Sequence, residues 1–143
     1  MTAFELAERW AKPARVLLVE DDLRQTAAVA QALTHYGCFV DTAGTVQQAL
    51  VALRGGSFDL ALVDLTLPDG NGAEVLNVVR ECFPNTPAMV MTSSCDLELI
   101  AQALCCGAVT VLLKPFPFSE LKRTLGLFKL KVLDPDPQVT ATV

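Results

Sequence analysis

Four short apolar runs in this chain each give way to residues that can handle charge. Glu20-Asp21-Asp22 follows Val16–Val19, Asp64 follows Leu60–Val63, Thr92-Ser93-Ser94 follows Ala88–Met91, and Lys114-Pro115 follows Val109–Leu113. Read as parallel strands, the runs bring these groups to one edge of a sheet, and open parallel sheets bind ligands outside the carboxyl ends of their strands. Carboxylates gathered there resist joint ionisation, so a cation must compensate them. Oxygen-only donors point to Mg²⁺, Mn²⁺ or Ca²⁺, and Mg²⁺ suits a site of one or two carboxylates that keeps waters and binds a phosphate oxygen. Lys114 supplies a compact charge for a second anionic oxygen, and the Thr92 hydroxyl can donate to a third. Such a set matches a phosphoryl group in transfer, where catalysis is mainly positioning and charge neutralisation. Asp64 is then the nucleophile that accepts it.

Singly, each residue has an ordinary explanation. An Asp after a strand caps a turn or a helix, Lys-Pro marks a loop, and a strand-end Thr is structural. Together they do not, because four separate strands would have to end by chance in complementary groups at the same edge.

The elements that must position these groups can be read from the hydrophobic pattern. Val16–Val19, Phe39–Asp41, Leu60–Val63, Ala88–Met91 and Val109–Leu113 read as strands, the first, third and fifth buried on both faces. Helical periodicity fills the intervals over Leu23–Tyr36, Val46–Leu53, Ala73–Phe83 and Leu97–Cys106, with a last helix from about Ser119 to Val132. Gly37, Gly55, Gly56 and Gly107 stand where C-terminal caps belong, and Thr45 and Ser119 where N-caps belong. Strict β-α alternation with short connections predicts a doubly wound α/β domain, a five-stranded parallel sheet with helices on both faces. A short amphipathic helix over residues 3–11 precedes it. Its Phe4, Leu6 and Trp10 need cover, either from the domain's own surface or from a homodimer contact. The expected division is an N-terminal extension over 1–13, one domain over 14–132, and a tail or severed linker over 133–143, where Asp134-Pro135-Asp136-Pro137 breaks the periodicity.

Composition bounds the remaining readings. The chain has 143 residues, 52% hydrophobic and 19% charged, which suits one packed domain and excludes general disorder. Its net charge of -5 argues against direct nucleic-acid binding or attraction to an anionic membrane. With Glu20, Asp21, Asp22 and Asp64 set aside, twelve of the sixteen acids remain against eleven bases, so the excess is a local cation site on a nearly neutral surface. Five scattered cysteines and one histidine, without a C-x-x-C pair, speak against zinc or a disulfide framework and for free thiols buried as small hydrophobes. The charged N-terminus has no signal-peptide core, and no apolar run nears the roughly 18 residues of a membrane span, so the expected location is the cytoplasm.

The stretches VLLVEDD (16–22), DLALVDLTLPDGNGAEVL (59–76), MVMTSS (89–94) and GAVTVLLKPF (107–116) closely resemble receiver domains of two-component response regulators, over about residues 14–130. The resemblance implies a flavodoxin-like receiver fold with Asp64 as phosphoacceptor. Asp21, Asp64 and the Thr66 backbone carbonyl would ligate Mg²⁺ (or Mn²⁺), and Glu20 would act through water. Thr92 and Lys114 match the switch hydroxyl and the phosphate-binding lysine, and the Lys114–Pro115 bond is expected to be cis. The implied partner is a sensor histidine kinase or phosphotransfer protein. The implied activity is a phosphorelay switch rather than an enzyme, self-catalysing only its own phosphorylation and dephosphorylation and serving transcription regulation through an effector domain not encoded here. Phosphorylation is expected to alter the face formed by the fourth helix, fifth strand and fifth helix. The family usually carries Tyr or Phe three residues before the lysine, where this chain has Val111, and a receiver-like interaction module that signals without phosphorylation is the alternative. A haloacid-dehalogenase-type phosphohydrolase would need a second Asp at Thr66, and a nucleotide hydrolase a G-x-x-x-x-G-K-[ST] loop that this chain lacks.

Overall fold

Five runs rich in Val, Leu, Ala and Met form the spine of the computed structural model, which describes residues 2–3, 13–128 and 130. They are β1 (Arg15–Val19), β2 (Phe39–Ala43), β3 (Leu60–Asp64), β4 (Ala88–Thr92) and β5 (Ala108–Leu113), joined by helices α1 (Leu23–His35), α2 (Val46–Gly55), α3 (Gly72–Cys82), α4 (Leu97–Cys105) and α5 (Phe118–Leu127). Every pairing within this sheet is parallel, in the order β2-β1-β3-β4-β5. The doubly wound five-stranded sheet expected from the alternation is the observed fold.

Side chains alternate across a strand, so the sheet feeds two cores. Leu17, Val19, Ala61, Val63 and Val90 pack with α2, α3 and α4 on one face, while Val16, Leu18, Leu62, Met89 and Met91 pack with α1 and α5 on the other. Strand order decides which strands are covered twice. β3 and β4 are buried throughout, whereas β5 lies at an edge and alternates between buried and exposed positions. The expectation of a doubly buried fifth strand was therefore misplaced by one strand, because apolar content alone does not reveal which strand is the edge.

Helix ends follow local chemistry. Thr45 caps α2 by accepting from the Gln48 N–H, as expected, and Asp22 caps α1 by accepting from the Arg24 and Gln25 N–H groups. Ser119 is not a cap: α5 begins one residue earlier, after Pro117, with no side-chain cap, and it ends at Leu127 rather than near Val132. Gly37 and Gly107 follow the ends of α1 and α4 with φ of 91° and 102°, the left-handed turn that glycine adopts without strain. Gly56 is the C-cap of α2, as expected, but with extended backbone rather than a left-handed turn, and Gly55 is the helix's last residue.

Only Cys38 is buried, with its thiol pushed up to about 11 chiefly by that burial. Cys82, Cys95 and Cys105 are exposed, Cys106 is half-buried, and all five are free. The picture of buried thiols thus holds for one of the five, since the others fall on helix ends and loops. Beyond Ala3, the helix expected over residues 3–11 lies outside the described residues, as does the segment from 131 on. No helix among the described residues is long and apolar enough to cross a membrane.

Candidate functional site

The carboxyl edge of the sheet gathers the groups that follow β1, β3, β4 and β5. Register sets this meeting: Val19 pairs with Val63, Asp64 with Met91, and Thr92 with Leu113, so each strand delivers its next residues to the same level. Glu20 and Asp64 are buried and Asp21 is exposed, and one carboxylate oxygen from each lies within 4.8 Å of the others. Lys114 reaches back across the edge, its Nζ 2.5 Å from Glu20 Oε2 and 3.0 Å from Asp64 Oδ2.

Backbone bonds fix these side chains. The Thr66 N–H donates to Asp64 Oδ1 at 2.8 Å, leaving Oδ2 to Lys114. The Lys114 N–H donates to the Thr92 carbonyl at 2.8 Å, the Thr92 hydroxyl accepts from the Ser94 N–H at 3.1 Å, and the Lys114–Pro115 peptide is cis. Thr66 is exposed beside Asp64 and Ser94 is half-buried.

Burial without full neutralisation shows in the ionisation of the cluster. Glu20 is pushed up to about 7, first by its removal from water and then by the facing Asp64, with Lys114 opposing. Burial alone would depress the Lys114 ammonium, but its bonds to Glu20 and Asp64 hold it above its ordinary value. Two buried carboxylates and a third at the rim thus share one ammonium. A hard divalent cation fits this donor set, which is all oxygen and short of positive charge.

Three residues complete the site that the reading of strand ends did not single out. Gln25, in the first turn of α1, accepts a third bond from Lys114 Nζ through its Oε1. Gly72 opens α3 directly behind Asp64; a Cβ there would lie 2.3 Å from the Asp64 carbonyl oxygen, and the Gly72 N–H donates to Leu65 at 2.9 Å. Asp69 accepts from the Val46 N–H at 2.7 Å and the Gln47 N–H at 3.1 Å, bonds that hold its carboxyl below the usual range. Through them it ties the loop after Asp64, closed by the short ladder Thr66–Leu67 with Gly70–Asn71, to the start of α2. The Asp69-Gly70 turn signal was readable in the sequence, but the contacts of Gln25 and Gly72 are tertiary and left no local mark. Asp22 belongs to the helix cap, and Val111, half-buried on β5, packs against the core.

A parallel doubly wound sheet with an acidic, lysine-bridged cluster at its carboxyl edge defines a class of α/β domain. Residues 16–126 match the response regulator receiver domain, and the chain belongs to that family. Among curated proteins it is 39% identical over 106 residues to the swarming motility regulation protein RssB of Serratia marcescens, covering 74% of this chain and 48% of that protein. It is 32% identical over 130 residues to the transcriptional regulatory protein ZraR of Escherichia coli O157:H7, covering 89% of this chain and 30% of the relative. The chain therefore spans half or less of these relatives. Among solved structures, a response regulator receiver domain protein (CheY-like) from Methanospirillum hungatei superposes with a TM-score of 0.77 at 29% identity, covering 82% of this chain and 97% of that one.

Proposed function

We propose that this receiver domain is a phosphoacceptor switch that takes a phosphoryl group on Asp64 from a sensor histidine kinase or phosphotransfer protein. The observation that carries the reading is the buried Lys114 bridge between Glu20 and Asp64, a cation held beside a carboxylate whose other oxygen is pinned by the Thr66 N–H. In the transfer an Asp64 oxygen attacks phosphorus, the O–P bond forms as the bond from phosphorus to the donor's leaving atom breaks, and that atom keeps the bonding pair. Lys114 holds one phosphoryl oxygen and the Thr92 hydroxyl donates to another. Asp21, Asp64, the Thr66 carbonyl and, through water, Glu20 would hold Mg²⁺, which supplies neutralisation of charge on the phosphoryl oxygens. Thr66 and Ser94 are small and polar, so water retains access and the aspartyl phosphate hydrolyses in time. The domain turns over no external substrate.

The same reading divides the chain into an extension over 1–13, the receiver over 14–132 and a tail or linker over 133–143. It places the exchange in the cytoplasm, consistent with five free thiols, and assigns no direct nucleic-acid contact to this domain. Its output would be transcriptional, by analogy with relatives of that name. Incubation with Mg²⁺ and acetyl phosphate should add about 80 Da to the intact protein. Asp64→Asn should abolish the adduct, and its absence from the unaltered protein would overturn the proposal.

A further inference from the structure

The first turn of α2 is capped from two places. Thr45, the residue before the helix, accepts from the Gln48 N–H at 3.0 Å, whereas the Val46 and Gln47 N–H groups donate to Asp69, 23 and 22 residues further along the chain, at 2.7 and 3.1 Å. A helix start leaves its first N–H groups without partners inside the helix, so both acceptors support α2. Only Asp69 also belongs to the loop that follows Asp64. That loop is a hairpin of two residue pairs, Thr66 with Asn71 and Leu67 with Gly70, and Pro68-Asp69 is its tip. Its base is tied at the site, where the Thr66 N–H donates to Asp64 Oδ1 at 2.8 Å. A hairpin on its own is marginal even when longer than this. Buried Leu67 holds it to the core, and the Asp69 carboxylate fixes its tip to α2. Thr66 carries the carbonyl that would face the cation, so a released tip would let that oxygen wander.

We infer that Asp69 is a positioning residue that fixes the Thr66 carbonyl for Mg²⁺ and thereby couples occupancy of the cation site to the start of α2. The inference rests on the phosphoacceptor reading and extends it to a helix that contributes no ligand. Groups that orient a metal's ligands change affinity by about 10- to 100-fold, and the low end applies here because Leu67 still anchors the hairpin. Coupling is reciprocal: whatever the Asp69 bonds add to cation binding, a bound cation adds to the Asp69 bonds.

The test compares calorimetric Mg²⁺ affinity in the unaltered protein, Asp69→Ala, Asp69→Asn and Thr45→Ala, with folding checked by urea denaturation. Asp69→Ala should weaken Mg²⁺ binding about tenfold. Asp69→Asn removes the same charge but keeps an acceptor oxygen, so it should lose clearly less, and equal losses would reduce Asp69 to a distant charge and overturn the inference. Thr45→Ala removes a cap of α2 without touching the loop and should leave Mg²⁺ affinity unchanged. A loss there that matches Asp69→Ala would mean that helix stability alone sets the affinity, which overturns it as well. In the unaltered protein, saturating Mg²⁺ should slow hydrogen exchange at the Val46 and Gln47 amides by about the same tenfold, and unchanged exchange there counts equally against the coupling. Failure of the unaltered protein to bind Mg²⁺ at all would instead remove the phosphoacceptor reading beneath it.

Discussion

Arg15 and Lys114 stand at opposite ends of the same sheet, and each faces two carboxylates. At the amino edge the Arg15 guanidinium meets Asp41 at 2.9 Å and lies 5.1 Å from the centre of the Phe58 ring, while its backbone N–H donates to Asp59 at 2.8 Å. The side chains of that ion pair are 44% and 52% exposed, whereas Lys114, Glu20 and Asp64 are 8%, 2% and 11% exposed. Similar charges thus sit in different dielectrics. The exposed pair is screened and stabilises by about 0 to 1 kcal/mol, while the buried cluster must offset a desolvation penalty that its own attraction does not obviously cover. The raised Glu20 has the same sign, since its burial outweighs the opposing Lys114 bond. A fold selected only for stability has no use for such a cluster; its place at the carboxyl edge of the sheet, where open parallel sheets bind ligands, is what the phosphoacceptor proposal accounts for.

The sharpest way to break the contrast is to remove the cation from each end. In metal-free buffer at pH 8, Lys114→Met should lower unfolding free energy by about 3 kcal/mol in urea, because it leaves buried carboxylates uncompensated. Arg15→Met should lower it by less than about 1 kcal/mol. Similar losses would mean that burial does not distinguish the two ends.

Next comes pH. Glu20 titrates near 7 in the folded protein against 4.5 as its unperturbed value, so between these the native state binds more protons than the unfolded chain. Stability from this group is fully present below pH 4.5 and is lost as pH rises through 7, a change of up to about 3 kcal/mol. The raised Lys114 contributes stability lost only as pH rises beyond its own ordinary value of 10.5, outside that window. The difference in stability between the unaltered protein and Glu20→Gln, without metal, should therefore change between pH 5 and 8 in favour of the variant. A constant difference would show that Glu20 ionises normally. Divalent affinity should rise over the same range, since the cation favours the ionised carboxylate.

A smaller effect separates glycines that look alike in sequence. Gly72→Ala would drive a methyl into the Asp64 carbonyl at 2.3 Å, with backbone rather than a flexible side chain in the way, and should lower stability by about 2 kcal/mol and slow phosphoryl incorporation. Gly126→Ala, with nothing within 4 Å and a helical setting, should raise stability by roughly 0.5 to 1 kcal/mol. Paired urea denaturation curves check both, and equal signs would refute the assignment of Gly72 as a support for Asp64.

These pairs also show what was legible in advance. Strand ends carry Glu20, Asp64, Thr92 and Lys114 in the linear pattern, because a parallel sheet sends every carboxyl end to one edge and alternation with helices declares the sheet parallel. Edge or centre was not legible: β5 is as apolar in sequence as β4, and only the strand order exposes it. Gln25 and Gly72 act across the fold on Lys114 and Asp64, so their local spacing resembles that of any helix start. Ser119 failed as a cap because the helix opens one residue earlier than expected: extended Pro117 takes the N-cap position and Ser119 already lies inside the first turn.

The smallest predicted effect concerns two adjacent aspartates that composition treats alike. Asp21 contributes a donor oxygen to the acidic cluster, while the Asp22 carboxylate accepts from the Arg24 and Gln25 N–H groups at 2.9 and 3.1 Å and so closes the first turn of α1. Asp22→Ala should therefore lower stability by about 1 kcal/mol, the usual loss for an N-cap, with Mg²⁺ affinity little changed. Asp21→Ala should do the reverse, because it removes an exposed carboxylate of the acidic cluster proposed to hold Mg²⁺. Calorimetric Mg²⁺ titrations beside urea curves on the two variants separate these roles. If both lose Mg²⁺ binding equally, the boundary between the cap and the cation site lies one residue further along the chain than the hydrogen bonds indicate.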